Sequence, residues 1–553
     1  MLLSARSERD HEDDGGRHHR RARWPARAVV TGALLGLALL SPIEAARTVV
    51  AQEPVRQGQE PARQGGQAEA SQGPGQRQQR QASSEPADLR LPAPVTTSHS
   101  LPAALGSLKY KATAGSIVLN DQAGRPTAEI AYVAYVLDGQ DPATRPIAFA
   151  FNGGPGAASA YLHFGAMGPQ RLPFGNQGQG PSSPPILTDN PETWLPFTDL
   201  VFVDPVGTGF SRFLREDQDL RQQFWSVSGD VASLSRFVTR YLTENDRLRS
   251  PKVLVGESYG GFRVPKIARA LQGDYGVGIN GLYIISPVLD FNLKAEGLPF
   301  STAARLPSLV AAARAAKGEP LTREGLAEVE AYALGDYLVD VLKGPRDKAA
   351  VARIVDKVHQ LTGLDRDFLA RAGGQPDMTD VARELGRPRS EVASYYDALI
   401  TGLDQDPWAT RASFDDPVLD ASMAPLTSAT VDYTRRVLNY EVNRPYELLN
   451  GEINRRWSWG TRREGPEAAR DLRAAMALDP SMTVVVTHGF TDLVTPYLET
   501  RLVLDRLPPT IANPERLRLE VVPGGHMFYT RDDSRKALRD SAERLFKAVG
   551  QRL

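Results

Sequence analysis

The chain has 553 residues, 41% of them hydrophobic, which is enough for one large domain or two to three ordinary ones. Its 65 basic residues balance 66 acidic ones, leaving a formal net charge of −1 and no electrostatic footprint for nucleic acid or for an anionic membrane. Cysteine is absent, which excludes thiol nucleophiles, disulfides and thiolate metal sites.

Residues 17–27 (RHHRRARWPAR) are basic, residues 28–40 (AVVTGALLGLALL) are uncharged and mostly apolar, and Ser41-Pro42 ends the run. Small residues follow at Ala45, Ala46 and Ala51. This order predicts an export signal over residues 1–51 and a periplasmic or extracellular destination, with an uncleaved anchor as the alternative. The apolar run is short beside the about 20 residues of a membrane helix, so no stable span is expected after signal removal. Over residues 52–96 Gln, Gly, Arg, Pro, Ser and Glu dominate, and large apolar side chains nearly vanish. Such a segment buries too little surface to offset its ordering entropy, and it reads as a disordered linker.

Beyond it, short apolar runs alternate with turn chemistry. Residues 115–119, 128–137 (AEIAYVAYVL), 147–151 (IAFAF), 200–203 (LVFV), 253–255, 282–285 (LYII), 483–486 (TVVV) and 517–522 (LRLEVV) read as strands. Helical patterns occupy 230–242, 262–271, 497–507 and 534–549. Near-continuous apolar strands alternating with helices predict an α/β fold, with a mostly parallel central sheet covered by helices on both faces. Residues 292–480 carry helical patterns, at 321–342 and 347–361 among others, and no comparable strand. They read as a helical cap inserted between two parts of the core, 97–291 and 481–553.

The strand at 253–255 runs into Gly256-Glu257-Ser258-Tyr259-Gly260, a G-x-S-x-G sequence with a helical pattern behind it. A serine there sits on a tight turn that exposes its hydroxyl and aims the following backbone N–H groups at developing negative charge. The small residues two before and two after it avoid a clash. A serine hydroxyl needs a base and an orienting acid, which in α/β-hydrolases follow in the order acid, then histidine. Of the eight histidines, His526 lies after the strand 517–522 in VPGGHMFY, and Asp492 lies after the strand 483–486 in THGFTDLVTPY. An aspartate in that loop could also simply close a turn. His488 precedes Asp492 and has the wrong order, so it reads as a loop or core histidine, and His163 and His359 as structural or substrate contacts. Gly276 to Gly281 matches G-x-G-x-x-G, but it follows a helix and precedes a strand, so it reads as a turn and not a nucleotide site. A second glycine cluster, FNGGPGAASAYLHFGAMGP over 151–169, follows an early strand and suits close approach of backbone N–H groups to an oxyanion.

Together these blocks resemble the serine carboxypeptidase family, peptidase family S10, which has the α/β-hydrolase fold. The blocks are Asn152 to Gly156, Asp204 to Ser211 (DPVGTGFS), Gly256 to Gly261, and the Asp492 and His526 loops. The resemblance implies Ser258 as nucleophile, His526 as base and Asp492 as its orienter. It further implies an oxyanion hole from the N–H groups of Gly154 and Tyr259, and substrate contacts at Asn152, Gly153 and Glu257. Neither metal nor cofactor is implied, and the expected substrates are peptides with a free C-terminus. The resemblance is to a bacterial-type member; eukaryotic members carry a second glutamate where Ala166 stands, which bears on the acid optimum and on strict exopeptidase action, and a cysteine where Ala157 stands, which bears only on their disulfides. The rival reading is an acyltransferase or esterase on the same scaffold, and a more distant one is a catalytically idle binding protein.

Overall fold

The computed structural model describes residues 90–102, 107–174, 184–215, 218–294, 298–409, 414–460, 466–511 and 513–551. The expected export signal and nearly all of the expected linker lie outside the described residues.

The sheet is built from β1 (Val95–Ser100), β2 (Lys109–Asn120), β3 (Pro126–Leu137), β4 (Ile147–Phe151), β5 (Asp199–Val203), β6 (Lys252–Glu257), β7 (Gly281–Ile285), β8 (Thr483–Gly489) and β9 (Leu517–Val522). Their spatial order is β1-β2-β3-β5-β4-β6-β7-β8-β9, and the two-residue strand Arg212–Phe213 adds to β3. The first three strands and the β3–β5 pair are antiparallel. Every pair from β5 to β9 is parallel. Crossovers between parallel strands require intervening helices, and these cover both faces. α1 (Val227–Glu244) and α2 (Tyr259–Asp274) lie on one face, with Phe237, Val238, Val264 and Ile267 packed on Ile147, Phe149 and Phe151. The alternate residues of β4, Ala148 and Ala150, point into a second core with Leu162, Phe164, Leu538 and Leu545. A strand buried on both sides has no polar face to show, which is why IAFAF lacks alternation. The topology is that of an α/β-hydrolase.

The fold takes in residues before the boundary expected at 97. Leu91 is buried and its N–H donates to Glu129 Oε1 at 2.8 Å, and β1 starts at Val95. β1 is an edge strand with alternating exposure, so its composition resembles the polar segment before it.

Between 292 and 480 helices dominate, including α3 (Pro299–Ala315) and α4 (Lys348–Thr362), the latter capped by the Asp347 carboxylate. The helix expected over 321–342 is interrupted at Gly335, whose φ and ψ of −107° and −111° are not helical. Two features depart from the expected cap. Glu391–Ala393 pairs with Thr401–Leu403 in a hairpin too short to mark the sequence. α5 (Ala469–Leu478) packs Leu472 and Met476 into the same core as α2, so the core resumes before 480. The cap helices share an apolar cluster with Tyr497 and Leu498 of α6 (Tyr497–Leu504), which follows the Asp492 loop. α7 (Asp532–Gly550) ends the described fold.

Candidate active site

Ser258 stands between the last residue of β6 and the first of α2, with φ of 58° and ψ of −122°. A non-glycine residue at positive φ costs on the order of 1–3 kcal/mol and persists only where its surroundings hold it. They do so here: Ser258 N–H donates to Ile285 O at 2.9 Å, and its own carbonyl accepts from Gly261 N–H at 2.9 Å. A Cβ on Gly256 would lie 2.2 Å from Gly260 O, and one on Gly260 would lie 2.4 Å from Phe151 O, so both flanking glycines are required. Gly153 presses on the same turn, its missing Cβ falling 2.6 Å from Tyr259 N and 2.9 Å from Ser258 Cβ. Gly154, at φ of 96°, follows it. Tyr259 opens α2, where a backbone N–H has no acceptor within the helix.

Asp492 and His526 meet from the loops after β8 and β9. His526 Nδ1 lies 2.8 Å from Asp492 Oδ2. Because an ionised carboxylate only accepts, Nδ1 carries the proton and Nε2 is the basic nitrogen. Asp492 also closes a turn, its Oδ1 accepting from Val494 and Thr495 N–H, each at 2.8 Å. The turn aspartate and the histidine's partner are thus the same residue, one oxygen for each task. Burial would raise its pKa, but the attraction of His526 and the hydrogen bonds from His526 and Thr495 outweigh that and hold it below the ordinary value.

Several supporting residues gave no signal in the sequence. Thr495 Oγ1 donates to Asp492 Oδ2 at 2.6 Å and lies 3.0 Å from both His526 Nδ1 and Ser286 O. Ser286, at φ of 44° just after β7, donates its hydroxyl to His526 O at 2.8 Å. From the cap, Tyr396 O accepts from His526 N–H at 2.5 Å, and its ring stands edge-on to the imidazole at 5.3 Å between centroids. Such contacts come from segments far apart in the chain, and no spacing announces them.

Glu257 lies beside Ser258 and is 3% exposed. Asn152 Nδ2 donates to its Oε2, and Tyr529 Oη donates to its Oε1 at 2.6 Å. Asn152 is itself fixed: Leu162 N–H donates to its Oδ1 at 3.0 Å, and the buried Arg263 guanidinium bonds its carbonyl while pairing with Asp230 at 2.6 Å. Burial, with a smaller contribution from Asp492, pushes Glu257 up to about 7 against the opposing pull of His526 and Tyr529. Ala166 is fully buried among apolar side chains. The Asp204 to Ser211 block is scaffolding for the glycine cluster, since Asp204 accepts from Ser159 N–H at 2.8 Å and Ser211 Oγ donates to Asp204 O at 2.6 Å.

The remaining histidines lie elsewhere. His488 is within β8, buried, 2.9 Å from Thr500 Oγ1 and lowered to about 4 by desolvation. His163 is stacked on Phe202, 2.6 Å from Tyr135 Oη and lowered to about 3 by burial. His359 Nδ1 is 2.7 Å from Leu364 O at the end of α4. The residues 276–281 join α2 to β7, as a turn should. Among the described residues no group of three or more His, Asp or Glu could hold a metal ion, and no helix is long and apolar enough to cross a membrane.

Residues 118–303 match the family model of the serine carboxypeptidases. That stretch contains Asn152, Glu257 and Ser258, while Asp492 and His526 lie beyond it. The chain is 28% identical over 201 residues to Serine carboxypeptidase-like 34 of Arabidopsis thaliana, covering 34% of this chain and 38% of that protein. It is 35% identical over 122 residues to a pheromone-processing carboxypeptidase of Sclerotinia sclerotiorum, covering 22% of this chain and 17% of that protein. The chain therefore spans less than half the length of these curated relatives. A prohormone-processing carboxypeptidase from Saccharomyces cerevisiae aligns in structure with a TM-score of 0.49 and 15% identity, over 79% of this chain and 91% of that one. The family match and the sequence relatives support the serine carboxypeptidase family.

Proposed function

We propose that this chain is an exported serine carboxypeptidase of bacterial type that releases C-terminal residues from peptides through an acyl-enzyme on Ser258. The observation that carries the reading is the buried Glu257–Asn152 pair beside the nucleophile. A carboxyl that holds its proton to about pH 7, next to an amide donor, suits the terminal carboxylate of a peptide and leaves it unrepelled.

In this mechanism His526 Nε2 takes the Ser258 hydroxyl proton as Oγ attacks the scissile carbonyl. Asp492 holds the imidazole in the required tautomer and offsets its positive charge. The N–H groups of Gly154 and Tyr259, at the start of α2, receive the oxyanion, with Gly153 keeping that backbone against the elbow. Collapse of the tetrahedral intermediate breaks the C–N bond, and His526 returns the proton to the leaving amine. Water then repeats the sequence on the ester and frees Ser258.

The test is kcat/KM against pH for a peptide with a free C-terminus and for its C-terminal amide. The expected result is preference for the free acid, declining above about pH 7. Preference for the amide at every pH would overturn the carboxypeptidase reading in favour of an esterase or acyltransferase using the same acyl-enzyme.

A further inference from the structure

The catalytic cycle above leaves one buried partner of Glu257 unused. Tyr529 is 1% exposed, in a single helical turn (Phe528–Thr530) just after His526, and its hydroxyl reaches Glu257 Oε1 at 2.6 Å. Asn152 holds the other oxygen, Oε2. The two donors differ in one respect. Asn152 Oδ1 is committed to Leu162 N–H at 3.0 Å, so the amide cannot turn over, and its Nδ2 can only donate. The Tyr529 hydroxyl can donate or accept. A proton arriving on Glu257 is therefore accommodated at Oε1 alone, where the carboxyl O–H can donate to Tyr529 Oη once the phenol hydrogen rotates away.

We propose that Tyr529 is a positioning residue whose hydroxyl reverses between donor and acceptor as Glu257 gains or loses its proton, keeping Oε2 fixed on Asn152 in both states. The reversal lets Glu257 become neutral without orphaning a buried oxygen. Its consequence for substrate, removal of the charge that would repel a terminal carboxylate, rests on the carboxypeptidase reading. Ala166, apolar and fully buried, supplies no competing proton site. The titratable groups facing Glu257 are His526, Asp492, Tyr161 and Tyr529 itself. Only the last is altered in the test below.

A hydrogen bond to a charged acceptor is stronger than one between neutral groups, so Tyr529 favours ionised Glu257 on balance. Tyr529→Phe should then raise the Glu257 midpoint by about one pH unit. A ring-fluorinated tyrosine at position 529, a better donor and poorer acceptor, should lower it. The midpoint is read by infrared difference spectroscopy, the protonated carboxyl band being the one lost in Glu257→Gln. In parallel, phosphonylation of Ser258 by a fluorophosphonate without a carboxylate reports an intact elbow, and the alkaline limb of kcat/KM for a free-acid peptide should move with the infrared midpoint. An unchanged midpoint in Tyr529→Phe with normal phosphonylation, or a shift of both variants in one direction, would overturn the proposal. Should Tyr529→Phe lose phosphonylation, the fluorinated protein decides alone, and a midpoint that fails to fall refutes the reversal. Opposite midpoint shifts in a protein that cleaves no free-acid peptide would uphold the Tyr529–Glu257 coupling and sink the carboxypeptidase reading instead.

Discussion

Asp492 and Glu257 are both buried carboxyls near one serine, yet the fold treats them oppositely. Asp492 sits in a turn that turns two backbone N–H groups, the Thr495 hydroxyl and the His526 imidazole towards it, and these outweigh burial. Glu257 ends a strand, its carboxyl receives, among the described residues, only the Asn152 and Tyr529 side chains, and burial wins. Environments that push two acids apart are how one site acquires a permanently ionised group and a neutral one at the same pH. In the proposed reaction the first orients the base and the second receives the substrate's charge.

The comparison can be broken most severely at Ser258, the nucleophile of the proposed reaction. Ser258→Ala should cut peptide hydrolysis by about 10⁴- to 10⁶-fold without loss of the folded state, measured by kcat and by circular dichroism. Asp492→Asn, which keeps the turn but removes the charge and upsets the tautomer, should cost about 10⁴-fold in kcat. Glu257→Gln tests the opposite carboxyl, since its amide can face Asn152 with the carbonyl and Tyr529 with N–H, as the protonated acid would. In the parent, free-acid kcat/KM should fall about tenfold per pH unit above the midpoint near 7, and the Gln variant should abolish that slope. The sign for stability is separate. The folded pKa near 7 lies above the reference value of 4.5, so this contribution is complete below about 4.5 and is lost as pH rises through 7. The melting temperature of Glu257→Gln should therefore respond less to pH across that window than the parent's does. Thr495→Val should have the smallest effect, about a tenfold loss in kcat, because Asp492 keeps its two backbone donors.

Why one half of the site was legible and the other was not follows from where the constraints lie. The Ser258 elbow is local: a strand, a positive φ and two glycines within five residues must all appear in the sequence for that turn to exist. The loop after TVVV was readable because a strand buried on both faces leaves an apolar run that points to it, and the loop after LRLEVV because that half-buried edge strand still keeps its apolar residues in a short run. Thr495, Ser286, Tyr396 and Tyr529 left no mark, since each has its role only through a partner brought near by folding. The short hairpin at Glu391–Ala393 and the early edge strand at Val95 were missed because brief or half-exposed strands resemble loops in composition.

By itself, the sequence determined the alternation of strands and helices, the tight turn at Ser258, and the chain order of Ser258, Asp492 and His526. These are consequences of backbone sterics and hydrophobic periodicity, which act over a few residues. Only the tertiary structure decided that Asp492 is held ionised while Glu257 keeps its proton to about pH 7, and that Tyr529 stands against Glu257. Proton affinity depends on desolvation and on the distances to other charges, and both are set when separate segments pack together, 34 residues apart for Asp492 and His526 and 272 for Glu257 and Tyr529.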